Sequence, residues 1–303
     1  MQRRHFSRLL YPILILLLSL NFGCGTTRSL FKKIKPDEPY LKKKIMVLPP
    51  IDLSGLPTGK AAQTSEDFVE RLKHSPQLSI YTAPKDWVLP LEIKRPDFGV
   101  AYYDPAIAKM AKDKDMNALL AAFLPPIENT KGRTGIWPFR YDAEIYTISI
   151  VINVMDVTNG CLYLTDFSSK EVFFPLDEIG SLTNEEIFNQ ILIKAMPDIL
   201  ERQASAVIKE IEEGPWTGRI LDKKSGLLMI NAGKDAGVQQ DYLFGVYAQG
   251  ESILCQTGRK VDLVGERVGQ IKAVSVLEEY TLAEPESGGP FSIGQTIMFN
   301  PRP

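Results

Sequence analysis

Residues 143–157, AEIYTISIVINVMDV, alternate with a period of two: Tyr146, Ile148, Ile150, Ile152 and Val154 fall on one side, Thr147, Ser149 and Asn153 on the other. Successive side chains of a strand point to opposite faces, so the pattern predicts a long strand with one buried face. TNGC follows at once, placing Asn159 and Gly160 where a type I′ turn wants positive φ, and LYLTDFSSKEVF returns as the partner strand. A long antiparallel hairpin commits the chain to a sheet, and the sheet needs an apolar cover. Residues 183–199 offer one. Thr183 and Glu186 have the spacing of a capping box, and Ile187, Ile191, Ala195 and Ile199 recur every four residues. Pro197 is expected to kink or divide this helix, because it removes a donor and clashes with the preceding turn, and Gly214 with Pro215 should end it.

Upstream, KKIMVLPPID at 43–52 reads as a buried strand stopped by Pro49 and Pro50. TSEDFVERLKHS reads as a helix with Phe68, Val69 and Leu72 on one face and a capping start at Thr64 and Asp67. LSIYT at 78–82 is a second strand. A proline-rich segment with prolines 84, 90 and 96 follows, then a short helix around Ile107, Met110 and Ala111, and a strand in NALLAAFLPP at 117–126. Strand, helix, strand, helix, strand is an α/β order. From Trp216 onward short apolar segments alternate with Lys-Ser-Gly, Lys-Asp-Ala-Gly and Gln-Gly-Glu breaks, the texture of a small, mostly β barrel or sandwich. The expected fold is therefore an α/β domain over 43–213, with a mixed sheet and flanking helices, and a small β-rich domain over 216–303.

The beginning of the chain has a different character. Arg3, Arg4 and Arg8 precede LLYPILILLLSL at 9–20, a run without charge. It is shorter than the about 20 apolar residues that a membrane helix needs, so residues 1–23 read as a signal peptide to be removed. Cleavage before Cys24, with lipid added to its sulfur, would make the chain a bacterial lipoprotein, and Gly23 and Gly25 are small flanking residues. The stretch resembles the Leu-x-x-Cys lipoprotein box and departs from it, since Asn21 stands three residues before the cysteine and Leu20 one further back. RRHFSR at 3–8 also looks like a twin-arginine signal, with Ser7 where an apolar residue is expected; the long aliphatic run makes it the weaker reading. Residues 24–42, with Lys32, Lys33, Lys35 and Pro36, read as lipid anchor and tether. Gly25 is not the acidic residue associated with inner-membrane retention, so the expected place is the periplasmic side of the outer membrane.

Composition narrows the function classes. Removing residues 1–23 takes away three arginines and no acid, moving the net charge from −2 to −5, which gives nucleic acid nothing to bind. Cys161 and Cys255, far apart, read as two buried free thiols and not as a disulfide framework. Only His5 and His74 are present, and His74 reads as a solvated residue at a helix end. GLPTGKAA at 55–62 is one residue short of a phosphate loop and has Ala61 in place of the magnesium-binding hydroxyl. DKDMN at 113–117 begins like a calcium loop, but Ala118 replaces its glycine and Leu124 its glutamate, so it reads as a polar turn. No catalytic residue, metal ligand or cofactor site is expected. GIWPFRY at 135–141 stands apart: Trp137, Phe139 and Tyr141 on a glycine-led loop read either as a partner-binding knob or as a loop folded over its own core.

KIMVLPPID, FVERL, QLSIYTAPKDW, IAKMAKDKDMNALLAAFL and ISIVINVMDVTNGCLYL together resemble the α/β domain shared by the TolB amino-terminal domain and the curli-secretion lipoprotein CsgG, in which a long strand ends in Asp-x-x-x-Gly, here Asp156 and Gly160. The carboxyl-terminal part is similar to the small β domain of flagellar assembly protein T, through the turn element Asn231, Gly233, Gly237 and Val238. These resemblances imply a periplasmic protein without catalysis that binds other envelope proteins, a scaffold or assembly factor, with oligomers allowed. The alternative they imply is an oligomeric outer-membrane secretion channel of the CsgG kind.

Overall fold

A computed structural model describes residues 39–84, 87, 105–254 and 260–299. The segments read as signal peptide and Cys24 anchor, most of the proline-rich stretch, and Cys255 lie outside the described residues. The sheet is organised around β6 (Tyr141–Asp156), 16 residues long. β7 (Leu162–Pro175) runs antiparallel along one edge of it, with Ala143 opposite Pro175 and Met155 opposite Leu162. Two strands share the other edge. β4 (Ala118–Leu124) lies beside the Asp156 end, and β5 (Glu128–Thr134) beside the Tyr141 end. Pro125 and Pro126 fall between them, where a missing N–H costs the ladder nothing. Beyond β4 come β1 (Lys43–Val47) and then β3 (Leu78–Thr82), each parallel to its neighbour. Pro49 and Pro50 end β1, and the short β2 (Ile51–Asp52) pairs with the end of β4.

Two helices close one face of this mixed sheet. α1 (Lys60–Leu72) makes the crossover from β2 to β3, and α4 (Asn184–Glu213) lies against β6 and β7. Between them and the sheet, Ile148, Ile150, Ile152 and Val154 of β6 meet Phe68 and Leu72 of α1 and Ile187, Ile191, Ala195 and Ile199 of α4, all buried. Each aliphatic side chain so buried contributes about 1.5–3 kcal/mol. The other face carries a smaller cluster in which α2 (Pro105–Asp113) packs Ile107 and Ala111 over Leu119 and Ala121, while Met110 stays exposed. A one-turn helix, α3 (Leu176–Ile179), joins β7 to α4.

Several local expectations are corrected. α1 does not start at Thr64. Gly59, at φ 88°, begins it one turn earlier, and the Thr64 hydroxyl donates back to the Lys60 carbonyl at 2.9 Å in the helix interior. The β6–β7 turn is not type I′. Only Gly160 has positive φ, and the loop is closed by Gly160 N–H to the Asp156 carbonyl at 2.9 Å and by Thr158 N–H to the Asp156 carboxylate at 2.6 Å. A Cβ at Gly160 would also meet the Lys260 carbonyl at 2.6 Å, so glycine is required there twice over. Pro197 does not divide α4, which runs as one 30-residue helix with its capping box at Thr183 and Glu186 intact. Cys161, expected to be buried, is only half-buried.

Six antiparallel strands form the second body: β8 (Trp216–Lys224), β9 (Leu227–Ile230), β10 (Leu243–Leu254), β11 (Lys260–Val276), β12 (Thr281–Gly288) and β13 (Thr296–Phe299). They close in the order β10-β11-β12-β9-β8-β13, a barrel rather than a sandwich. Its interior holds Ile220, Leu228, Ile230, Phe244, Ile271 and Ile297, and also Leu41, from the stretch read as tether. Lys42 is likewise fixed there, its N–H bonded to the Ala236 carbonyl and its carbonyl to the Trp216 indole.

Sheet and barrel belong to one compact unit, Tyr40–Pro303, joined by polar contacts. Asn117 accepts from Lys44 N–H at 2.8 Å and donates to the Thr217 carbonyl at 2.6 Å. Asp115 takes the Arg219 guanidinium at 2.9 Å and the Asn231 amide at 3.2 Å, and Lys44 pairs with Asp235 at 2.6 Å. Ile152→Ala, under α4, should cost about 2–5 kcal/mol in denaturant unfolding, whereas Ile193→Ala, on the exposed side of the same helix, should stay within about 0.5 kcal/mol.

Candidate docking site

β6 extends past the helix-covered part of the sheet, and with β5 it forms a hairpin whose turn is Gly135–Arg140. Charged pairs set directly opposite hold its register: Arg133 with Asp142 at 2.8 Å, and Lys131 with Glu144 at 3.8 Å. Exposed pairs of this kind add little stability, but they place the last rung, Thr134 opposite Tyr141, at the base of the turn. Gly135, at φ 98°, opens the turn and Phe139 N–H closes it on the Ile136 carbonyl at 2.6 Å; the Trp137–Pro138 peptide is cis.

Ile136, Trp137 and Phe139 are 83%, 79% and 82% exposed, and Tyr141 is 44% exposed at the base. The loop is therefore not folded over its own core. Three large exposed apolar side chains fall within this one turn, with the exposed Arg140 next in sequence. Large apolar side chains held in water in this way are unfavourable, which makes this turn the candidate site. Of the three aromatics named from the sequence, Trp137 and Phe139 lie in the turn and Tyr141 lies one step behind on β6, while Ile136, which the aromatic pattern passed over, completes the tip.

Other sequence features resolve into structure. His74 is exposed in the turn after α1. Just before the 55–62 stretch the polar groups serve the loop itself: the Asp52 carboxylate accepts from Ser54 N–H at 2.9 Å, and the Ser54 hydroxyl accepts from Leu56 N–H at 3.2 Å. The 113–117 turn supplies Asp115 and Asn117 to the joint. Among the described residues no cluster of His, Cys, Asp and Glu is arranged to hold a metal ion.

One buried ionisable group lies at that joint. Lys43, 7% exposed, donates from Nζ to the Ile211 carbonyl and to the Gly214 carbonyl at 2.7 Å, closing the carboxyl end of α4. Burial lowers its pKa from 10.5 to about 8, against the opposing pull of Asp156 and Glu212. Asp156 is itself pushed up by burial, an effect opposed by the Tyr163 hydroxyl and the N–H groups of Thr158 and Asn159. Both of its oxygens are thereby committed, one to Thr158 N–H and one to Tyr163 at 2.7 Å, so this carboxylate shapes the turn. The Tyr163 phenol is raised in turn, first by burial and then by Asp156. Below pH 8 Lys43 carries its proton folded and unfolded; between about 8 and 10.5 only the unfolded chain keeps it. Stability from this group therefore rises with pH through that window, by up to about 3 kcal/mol. In unfolding measurements at pH 7, 9 and 10.5, the native protein should gain on Lys43→Met as pH rises, and a constant difference would contradict the assignment.

No protein-family model matches the chain, and no curated protein matches it. Among solved structures it is similar to the PelC dodecamer from Paraburkholderia phytofirmans, at 10% identity and TM-score 0.32 over 55% of this chain and 91% of that one. It is also similar to lipoprotein GNA1162 from Neisseria meningitidis, at 13% identity and TM-score 0.29 over 57% of this chain and 99% of that one. A match to TolB from Acinetobacter baumannii has 8% identity and TM-score 0.26 over 84% of this chain and 63% of that one. At these scores the fold rests on the strand pairing described above, and function on the site.

Proposed function

We propose that this chain is a non-enzymatic, lipid-anchored scaffold or assembly factor of the bacterial envelope, on the periplasmic side of the outer membrane, that works by docking and holds other envelope proteins. The observation that carries the proposal is the exposed Ile136, Trp137 and Phe139 tip, presented on a hairpin that continues a well-packed sheet; it suits the chain to docking at the envelope, with the rest of its surface left to hold other envelope proteins. An apolar tip of this size on a firm support is suited to binding, and it has no bearing on bond chemistry. The amino-terminal run, with Cys24 as the lipid attachment, supports the membrane part. The sequence resemblance to the TolB and CsgG α/β domain, and of the barrel to the small domain of flagellar assembly protein T, supports the assembly part. In this reading residues 1–23 are removed, 24–42 form the anchor and a tether whose last residues, Leu41 and Lys42, are fastened to the barrel, and the domains over 43–213 and 216–303 act as one body.

A secretion channel draws support from the length of β6 and β7, 16 and 14 residues, against the about 9–11 that a membrane strand needs. One face of that hairpin, however, is covered by α4, and the other carries Thr147, Ser149 and Asn153 opposite Glu171, Ser169 and Thr165, which is not the apolar face a channel strand gives to lipid.

Intact mass of the protein taken from membranes should show a chain beginning at Cys24 with added acyl mass, and Cys24→Ala should lose it. Crosslinking in the envelope followed by pull-down should repeatedly recover the same protein partners. An unmodified chain starting elsewhere, or pull-downs that recover none, would reject the scaffold reading.

A further inference from the structure

Resting on that reading, we infer that the occupant of the hairpin tip is the bilayer surface itself: Ile136, Trp137 and Phe139 enter the interfacial layer and Arg140 meets the headgroup phosphates, so that the body is fixed to the membrane at a second point.

Shape is the first reason. The tip is the end of a two-stranded hairpin and carries three side chains at 79–83% exposure within one turn, and a fluid interface accommodates such a projection without needing a preformed groove. Composition is the second. Trp and Tyr are favoured at the depth of the headgroups, where an apolar ring and a polar edge are both satisfied, and here Trp137 stands at the tip with Tyr141 one step behind. The backbone agrees, since Pro138 has no N–H and the Phe139 N–H is already bonded to Ile136, which reduces what the loop loses on leaving water. Charge is the third: Arg140 is exposed in the turn itself and next in sequence to Phe139, and it is the cation there that remains for a headgroup phosphate, since Arg133 and Lys131 behind it are already paired with Asp142 and Glu144.

Reach is the fourth. The Asp156 end of β6 lies at the joint, where the chain enters the fold at Leu41 and Lys42, and the tip lies at the opposite end of β6. A 16-residue strand is about 53 Å long at ~3.3 Å per residue. Cys24 precedes Tyr40 by 16 residues, a length of chain that spans at most about 55 Å. That length of chain is enough for a lipid on Cys24 and the hairpin tip to share one bilayer.

Trp137 supplies its own probe. Trp87 and Trp216 are buried, at 9% and 5% exposure, so Trp137 is the one of the three tryptophans that faces solvent. The full lipidated chain is placed in phosphatidylethanolamine and phosphatidylglycerol vesicles whose acyl chains are brominated near the headgroup. Trp137 emission should shift to shorter wavelength and be quenched by the bromine, and Trp137→Phe should remove the quenched component while leaving that of Trp87 and Trp216. Ile136→Ser and Phe139→Ser should each shift the equilibrium away from the inserted tip by about 10-fold or more. Water-like emission untouched by bromine, but quenched by iodide, would overturn the inference. So would a blue shift that needs no lipid and grows with protein concentration, which would place a second copy on the tip. A blue shift that appears only when extracted envelope proteins are added would assign the tip to a protein and leave the scaffold reading standing. The mass measurement on Cys24 tests the anchoring itself, so failure of the anchor and failure of the tip are read separately.

Discussion

The burial of one face of β6 beneath α4 is the contact on which the rest depends. Ile148, Ile150, Ile152 and Val154 occur at every second residue of the strand, and Ile187, Ile191, Ala195 and Ile199 at every fourth residue of the helix, so the two periods meet in one apolar layer. A one-residue slip of β6 would turn that whole row to solvent, which fixes its register against β4, β5 and β7 together. Because β6 is longer than the layer that covers it, its two ends are set by the same packing and do different things. The Asp156 end is fastened to the barrel, and the Tyr141 end carries the tip.

At the fastened end, polar chemistry replaces apolar burial. Asp115, Asn117, Arg219 and Asn231 join α2, the start of β4, β8 and the turn after β9, and Lys43 satisfies the last carbonyls of α4 just before the chain crosses into the barrel at Trp216. Hydrogen bonds of this kind are directional, so they fix orientation where a purely greasy contact would allow sliding. Leu41 adds an apolar pin from the chain's entry into the fold, seated inside the barrel. A hairpin that began from a loose joint would sweep its tip through a wide arc; one that starts from this joint presents it in one direction.

Much of this was legible in the sequence, and for a physical reason. The hairpin and α4 show themselves through period and through a local cap, Thr183 with Glu186, in which every interacting pair is near in sequence. The joint was illegible because its partners are far apart: Asp115 and Arg219 are separated by 104 positions, and each in isolation is an ordinary turn or strand residue. The start of α1 was misplaced because Gly59 reads as loop, whereas its left-handed backbone is what admits the helix at Lys60. Thr64 looked like a cap and is an interior residue bonded backward. The tip was visible as an aromatic loop, but whether those rings faced inward or outward depends on how far β5 and β6 run beyond the helices, which no local pattern records. The 113–117 segment reads as a polar turn from its sequence, yet its part in the joint, through Asp115 and Asn117, became visible only with the barrel in place.

If docking through the hairpin tip is how the chain works, a photoreactive residue placed at Phe139 in living cells should form covalent adducts with a lipid or a protein, while the same residue at Lys224, exposed on the barrel, should form none. Equal adducts at both positions, or none at Phe139, would contradict the account.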